Sequence, residues 1–285
     1  MKKILIPAAF SLAAIVAQAA IQTVGINQSG TNGSGNANNS TNGSVAIAEF
    51  FNTDIATTAS AANGNLLQGA TLSSTTPFAG SPALSQFGAG FNTTGSVLTN
   101  AAGPTDNGSG LQTLTSMSYL QLSGAYATSP TITFNLNTTT NTAGYNISSV
   151  VSYASFGYNG AALANQAYSI YYRTVGSSTY TLLSTVNYSP FNGANSASGG
   201  QAAGATKVVT NDSVGAPLIG GVDSVQVVFA NSGITNSYSA LQGTVYNEFA
   251  ILGTATAVPE PSTYGLMGAG ALAAAAMIRR KRRSV

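Results

Sequence analysis

The 285-residue sequence has no cysteine, no histidine and no tryptophan, and charged residues make up 6% of it. Roughly 25% charged residues is usual for a soluble domain. Without cysteine there is no disulfide framework, thiolate zinc site or thiol nucleophile. Without histidine there is no Ser-His-Asp triad, imidazole base or imidazole-ligated metal. The set of side chains able to carry catalysis is therefore short. What the chain does have is 44% hydrophobic residues, 32 glycines and 13 tyrosines. That apolar content is enough for a packed core.

The few charges are unevenly placed. Lys2 and Lys3 stand at one end, and Arg279, Arg280, Lys281, Arg282 and Arg283 at the other. The stretch 20–258 keeps only Arg173 and Lys207 as cations, against Glu49, Asp54, Asp106, Asp212, Asp223 and Glu248, a charge of −4. Nucleic-acid binding needs a basic patch on the folded body, which two cations do not make. No nucleic-acid partner is expected.

Both ends read as membrane handles. Lys2 and Lys3 precede an apolar run from Ile4, which ends in Ala17-Gln18-Ala19. A basic start, an apolar stretch and small residues at the cut site form a secretory signal over 1–19, cleaved by signal peptidase after Ala19. At the other end, 254–285 carries Val258-Pro259-Glu260-Pro261, an apolar stretch from Tyr264 to Ile278, and the basic cluster 279–283. As a helix the apolar stretch reaches about 22 Å, shorter than a hydrocarbon core of about 30 Å. The basic cluster is a cytoplasmic stop, and Lys2 and Lys3 hold the other end on the same side. The body then lies outside, in a transient inner-membrane hairpin. Two prolines keep 258–261 extended and open to a protease, with Glu260 as the one charge there.

In order and spacing, residues 258–285 resemble the PEP-CTERM sorting signal of Gram-negative bacteria. The resemblance implies recognition of Pro259-Glu260-Pro261 by an exosortase and processing between Val258 and Pro261. It also implies delivery to the cell surface or extracellular matrix.

Between the handles, 20–44 is rich in Gly, Asn, Ser and Thr and reads as a linker or a poorly ordered first strand. From 45 to 253 short alternating runs are separated by polar turns. Candidate strands are Val45 to Phe51, Thr131 to Leu136, Ser148 to Ala154, Gln166 to Arg173, Tyr180 to Val186, Val222 to Phe229 and Thr244 to Leu252. Alternation puts Ile132, Phe134 and Leu136 on one face, and Val225, Val227 and Phe229 on another. The expected class is all-β, an antiparallel sandwich or jelly roll over 45–253. The strand succession from 130 to 253, with Tyr171-Tyr172-Arg173 ending one strand and Glu248 early in the last, resembles the galactose-binding-like, discoidin-type jelly roll. That resemblance implies a structural calcium, with Asp106 and Glu248 as ligands beside loop carbonyls. The alternative is a solvated loop acid and a glutamate satisfied within its strand.

Catalysis has little to stand on. Glycoside hydrolysis needs paired carboxylates, and the nearest pairs in sequence, Glu49 with Asp54 and Asp212 with Asp223, read as strand-end and turn acids. A Ser-Lys dyad would rest on Lys207, with nothing in sequence to depress its pKa. Tyr158, Asn159, Tyr188, Phe191 and Asn192 fall in expected loops, where aromatic and amide groups would meet a sugar. The expectation is a non-enzymatic exported protein, with a carbohydrate-binding adhesion module and a secreted polysaccharide-active enzyme as alternatives. Extracellular polysaccharide is the candidate partner.

Overall fold

The computed structural model describes residues 20–31, 54–67, 71–74, 96–100, 102, 118–121, 131–156, 161–191, 202–230, 243–258, 269–277 and 279–280. Among the described residues there are ten strands: β1 (Ile21–Thr31), β2 (Thr71–Ser74), β3 (Ser118–Gln121), β4 (Thr131–Asn135), β5 (Tyr145–Phe156), β6 (Gln166–Thr174), β7 (Thr181–Tyr188), β8 (Ala202–Asp212), β9 (Ile219–Phe229) and β10 (Gly243–Ala255). All pairings are antiparallel. One layer runs β1-β8-β5-β10-β3. The other runs β2-β4-β9-β6-β7. The layers meet at one corner, where Tyr145 pairs with Val222 and Ile147 with Ile219. This is the all-β antiparallel sandwich expected from the sequence.

Alternation builds the core. In β4 the burial pattern alternates strictly, leaving Ile132 and Phe134 at 0% and 1% exposure. Val225, Val227 and Phe229 turn inward from β9, and Tyr168 and Ile170 from β6. The facing layer supplies Val150, Ala154, Val208, Phe249 and Ile251. Aromatic rings tie the layers together. Phe249 lies 5.9 Å from Phe134, 5.8 Å from Tyr168 and 5.3 Å from Tyr246, and Phe229 lies 5.1 Å from Tyr246. Tilted and edge-on pairs at this spacing stabilise beyond the area they bury.

A buried polar network crosses the same core. Ser152 donates to Gln166 Oε1 at 2.6 Å, and Gln166 Nε2 donates to Thr206 Oγ1 at 2.8 Å. The hydroxyls of Ser152 and Tyr168 share a hydrogen bond of 2.7 Å. Burial raises the Tyr168 hydroxyl far above its ordinary value, so it stays neutral.

Three differences from the sequence reading have physical causes. Residues 21–31, expected as linker or first strand, form β1, whose backbone pairs with β8 residue for residue from Ile21–Asp212 to Thr31–Ala202. Backbone ladders tolerate such a polar strand at a sheet edge. β8 itself was not expected, because Ala202-Ala203-Gly204-Ala205 hides the alternation. A short helix at 54–58 covers the outer face of the first layer, where Ile55 and Ala59 pack on Val151, Tyr153, Ala205 and Ala250. The candidate strand at 45–51 lies outside the described residues.

Candidate sorting site and the polar clusters of the body

The last strand delivers the chain to the sorting segment. β10 pairs with β5 as far as Ala255, opposite Tyr145. Thr256 then closes the fold. Its N–H donates to Gly144 O at 2.9 Å, its hydroxyl donates to Asn146 Oδ1 at 3.1 Å, and that same hydroxyl oxygen accepts the Gly221 N–H at 3.3 Å. Gly144 has φ of 78°, and a Cβ there would sit 2.7 Å from the backbone of Gly221 and Val222. Only glycine fits that crossing. Ala257 and Val258 are exposed, Val258 at 62%.

Of the expected sorting residues, Val258 stands two positions past Thr256, which makes the last hydrogen bonds of the body among the described residues. Ala17, Ala19, Pro259, Glu260, Pro261, Lys281, Arg282 and Arg283 lie outside the described residues. Residues 269–277 are helical, as are the exposed Arg279 and Arg280. Among the described residues no helix is long and apolar enough to cross a membrane.

The outer face of the first layer holds a charged cluster. Lys207 of β8, Tyr153 of β5 and Glu248 of β10 are cross-strand neighbours in one row. Glu248 reaches that face through a bulge, since the register shifts between Tyr246 and Glu248. One extra residue turns the side chain from the core to the other side. Glu248 is fully buried. Asp54 approaches from the short helix. Its Oδ2 accepts from Lys207 Nζ at 2.5 Å and from Tyr153 OH at 2.8 Å, and its Oδ1 accepts from Thr58 at 3.2 Å. Burial alone would raise the Asp54 carboxyl, but the donors Lys207, Tyr153 and Thr58 together hold it below its ordinary value. Burial, with Asp54 and Glu248 adding to it, pushes the Tyr153 hydroxyl far upward.

Lys207 is thus the partner of a carboxylate. Asp106 and Glu49 lie outside the described residues. Among the described residues no three acidic side chains gather as a metal group would need.

The second layer presents a polar outer face. Thr133, Gln226, Ser169 and Tyr171 are half-exposed on adjoining strands, with Gln226 Nε2 donating to Thr133 Oγ1 at 3.1 Å. Arg173 Nε pairs with Asp223 Oδ1 at 2.9 Å, and its guanidinium lies 5.4 Å from the centre of the Tyr180 ring. The Asp223 partner, ahead of a small opposing effect of burial, raises the Arg173 guanidinium further.

Two of the loop residues named for sugar contact are used otherwise. Tyr188 ends β7, lies against Gly25 and accepts a hydrogen bond from Asn27 at 2.7 Å. Phe191 is 5% exposed, and its N–H donates to Asn165 at 3.1 Å. Tyr158, Asn159 and Asn192 lie outside the described residues. What the sequence reading missed is the Thr256 closure, which joins Thr256 to Asn146, 110 positions away, and to Gly221, 35 positions away.

Residues 257–283 match the PEP-CTERM protein-sorting motif. No curated protein matches the chain. Solved structures similar to it include the family 32 carbohydrate-binding module of C. perfringens NanJ in complex with galactose, at 17% identity. That likeness covers 66% of this chain and 97% of the other, with a TM-score of 0.34. Another is CBM32-1 of a family 31 glycoside hydrolase from Clostridium perfringens, at 13% identity, covering 67% and 99%, with a TM-score of 0.35. A third is the CBM32 of AlyQ in complex with 4,5-unsaturated mannuronic acid, at 11% identity, covering 64% and 93%, with a TM-score of 0.29.

Proposed function

We propose that this chain, which carries a PEP-CTERM sorting motif and is thereby an exported exosortase substrate, serves as a non-enzymatic protein of the cell surface or extracellular matrix. The observation that carries the reading is the junction at Thr256. Among the described residues the body's last hydrogen bonds are made there, and the motif begins at the next residue. A folded cargo ends where a cleavable handle starts. Removal of the tail between Val258 and Pro261 would leave every described hydrogen bond of the sandwich in place. It would also strip the cytoplasmic stop of Arg279, Arg280, Lys281, Arg282 and Arg283, and so release the cargo from the inner membrane.

The described polar groups support a structural role for the body. The two cations of the described body are used internally, Lys207 with Asp54 and Arg173 with Asp223. The half-exposed hydroxyl and amide groups of Thr133, Gln226, Ser169 and Tyr171 offer neutral hydrogen-bonding chemistry suited to extracellular polysaccharide, the proposed partner.

The test is fractionation of host cells with and without their exosortase, beside a Glu260→Ala variant. Wild-type protein is expected in the surface or matrix fraction. Loss of the enzyme or of Glu260 should strand tail-bearing protein in the inner membrane. Unchanged delivery in both cases would overturn the sorting reading. A glycan array on the processed protein tests the partner, and absence of any polysaccharide signal would contradict that part.

A further inference from the structure

Asp212 ends β8 with its side chain buried, at 2% exposure. Its Oδ1 accepts two backbone N–H groups of the following turn, Val214 at 2.8 Å and Ala216 at 3.2 Å. Its Oδ2 is also buried and has no hydrogen-bond partner among the described residues. A buried carboxylate oxygen left without a donor is costly unless something cationic or protic reaches it.

The first residues of the body lie beside it. Ile21 is the register partner of Asp212, and the Ala20 carbonyl accepts the Ser213 N–H at 3.1 Å. The Ala20 nitrogen is therefore on the segment that faces this carboxylate. The Val214 amide foremost, with those of Ala216, Ala20 and Gly215, outweighs burial and holds the Asp212 carboxyl below its ordinary value. Lys207 and Arg173, the cations of the described body, are engaged with Asp54 and Asp223.

We propose that Asp212 is a binding site for the chain's own new N-terminus: the α-ammonium of Ala20, formed when the signal peptide is removed, pairs with Asp212 Oδ2 and fastens β1 to β8. The inference rests on cleavage after Ala19. Hydrolysis adds water across the Ala19–Ala20 amide, leaving a carboxylate on Ala19 and an amine on Ala20 that takes up a proton at neutral pH. One neutral N–H becomes a cation with three donors. A terminal ammonium donating to a buried carboxylate oxygen makes a charge-assisted hydrogen bond, roughly twice as strong as a neutral one. Signal-peptide removal then tightens the edge strand as well as freeing the protein.

The experiment uses protein exported and processed by its host. N-terminal sequencing identifies the first residue, and the pH dependence of labelling by acetic anhydride reports the pKa of its amine. The expected result is an Ala20 amine that titrates above about 9, where an uncoupled one titrates near 7.7–8.0. In Asp212→Asn, which keeps the Oδ1 acceptor, the amine should return to that ordinary range. As a check free of mutation, acetylating the Ala20 amine should lower the melting temperature, while dimethylation, which keeps the charge, should not. A first residue other than Ala20 refutes the cleavage reading and the latch with it. Ala20 in first place with an ordinary amine overturns the latch alone, leaving the processing intact.

Discussion

Substituting Thr256→Val removes one hydroxyl while keeping the side chain's volume. Two hydrogen bonds go with it, the donation to Asn146 Oδ1 and the acceptance from Gly221 N–H. The backbone bond from Thr256 to Gly144 stays. A typical intramolecular hydrogen bond contributes about 0.5–1.5 kcal/mol net, so the pair is worth about 1–3 kcal/mol at this half-buried position. The loss is local, because Ala255 and Thr256 lie at the strand's end and can open without the core. Local opening should become roughly 5- to 150-fold more populated, since about 1.4 kcal/mol corresponds to a factor of ten. The assay is amide hydrogen exchange at residues 254–256 in the exported protein, alongside chemical denaturation. Exchange there should accelerate by that factor while the global midpoint barely moves. Proteolytic ends of the processed protein should also become ragged, with some chains ending before Val258. Unchanged exchange at Thr256, or collapse of the whole fold, would refute the idea that this residue closes the body just ahead of the handle.

Three further outcomes follow from the packing and the charges. Phe249→Ala empties the centre of the interlayer aromatic cluster, where the ring is fully buried against Phe134, Tyr168 and Tyr246. A loss of about 3–5 kcal/mol is expected in urea denaturation, a large part of a typical domain's stability. Gly25→Ala would bring a Cβ to 2.3 Å from the Tyr188 ring. The ring must swing, at about 1–2 kcal/mol, and a double-mutant cycle with Tyr188→Ala should recover most of it. For pH, the Asp54 carboxyl is held below its ordinary value in the fold. Its stabilisation is present above the unfolded value of about 3.9 and is lost as pH falls through the lower folded value. Melting curves between neutral pH and about pH 2 should show a shallower acid decline for Asp54→Asn than for wild type.

The alternating strands were legible because one face of each meets the core. Ile132 and Phe134 in β4, and Val225, Val227 and Phe229 in β9, occupy the faces their spacing assigned. β8 was not legible. It lies between β1 and β5, and where it crosses the outer face it carries a small side chain, Ala205, under Ile55 of the short helix and Ala59 just after it. That helix is a single turn and leaves no period to read. Glu248 was readable as a strand acid, yet its side depends on a one-residue bulge that no alternation encodes. The sorting motif could be read as a linear string, because its Pro-Glu-Pro, apolar stretch and basic cluster follow one another in the sequence. The Thr256 closure and the Asp212–Ala20 proximity are products of topology, built from residues far apart in the chain.

The most direct measurement is the intact mass of the protein recovered from the matrix or surface of its host. The account predicts a chain that starts at Ala20 and ends between Val258 and Pro261, with the sandwich whole between them. A mass that still includes Met1 or the Arg279–Arg283 cluster would contradict it.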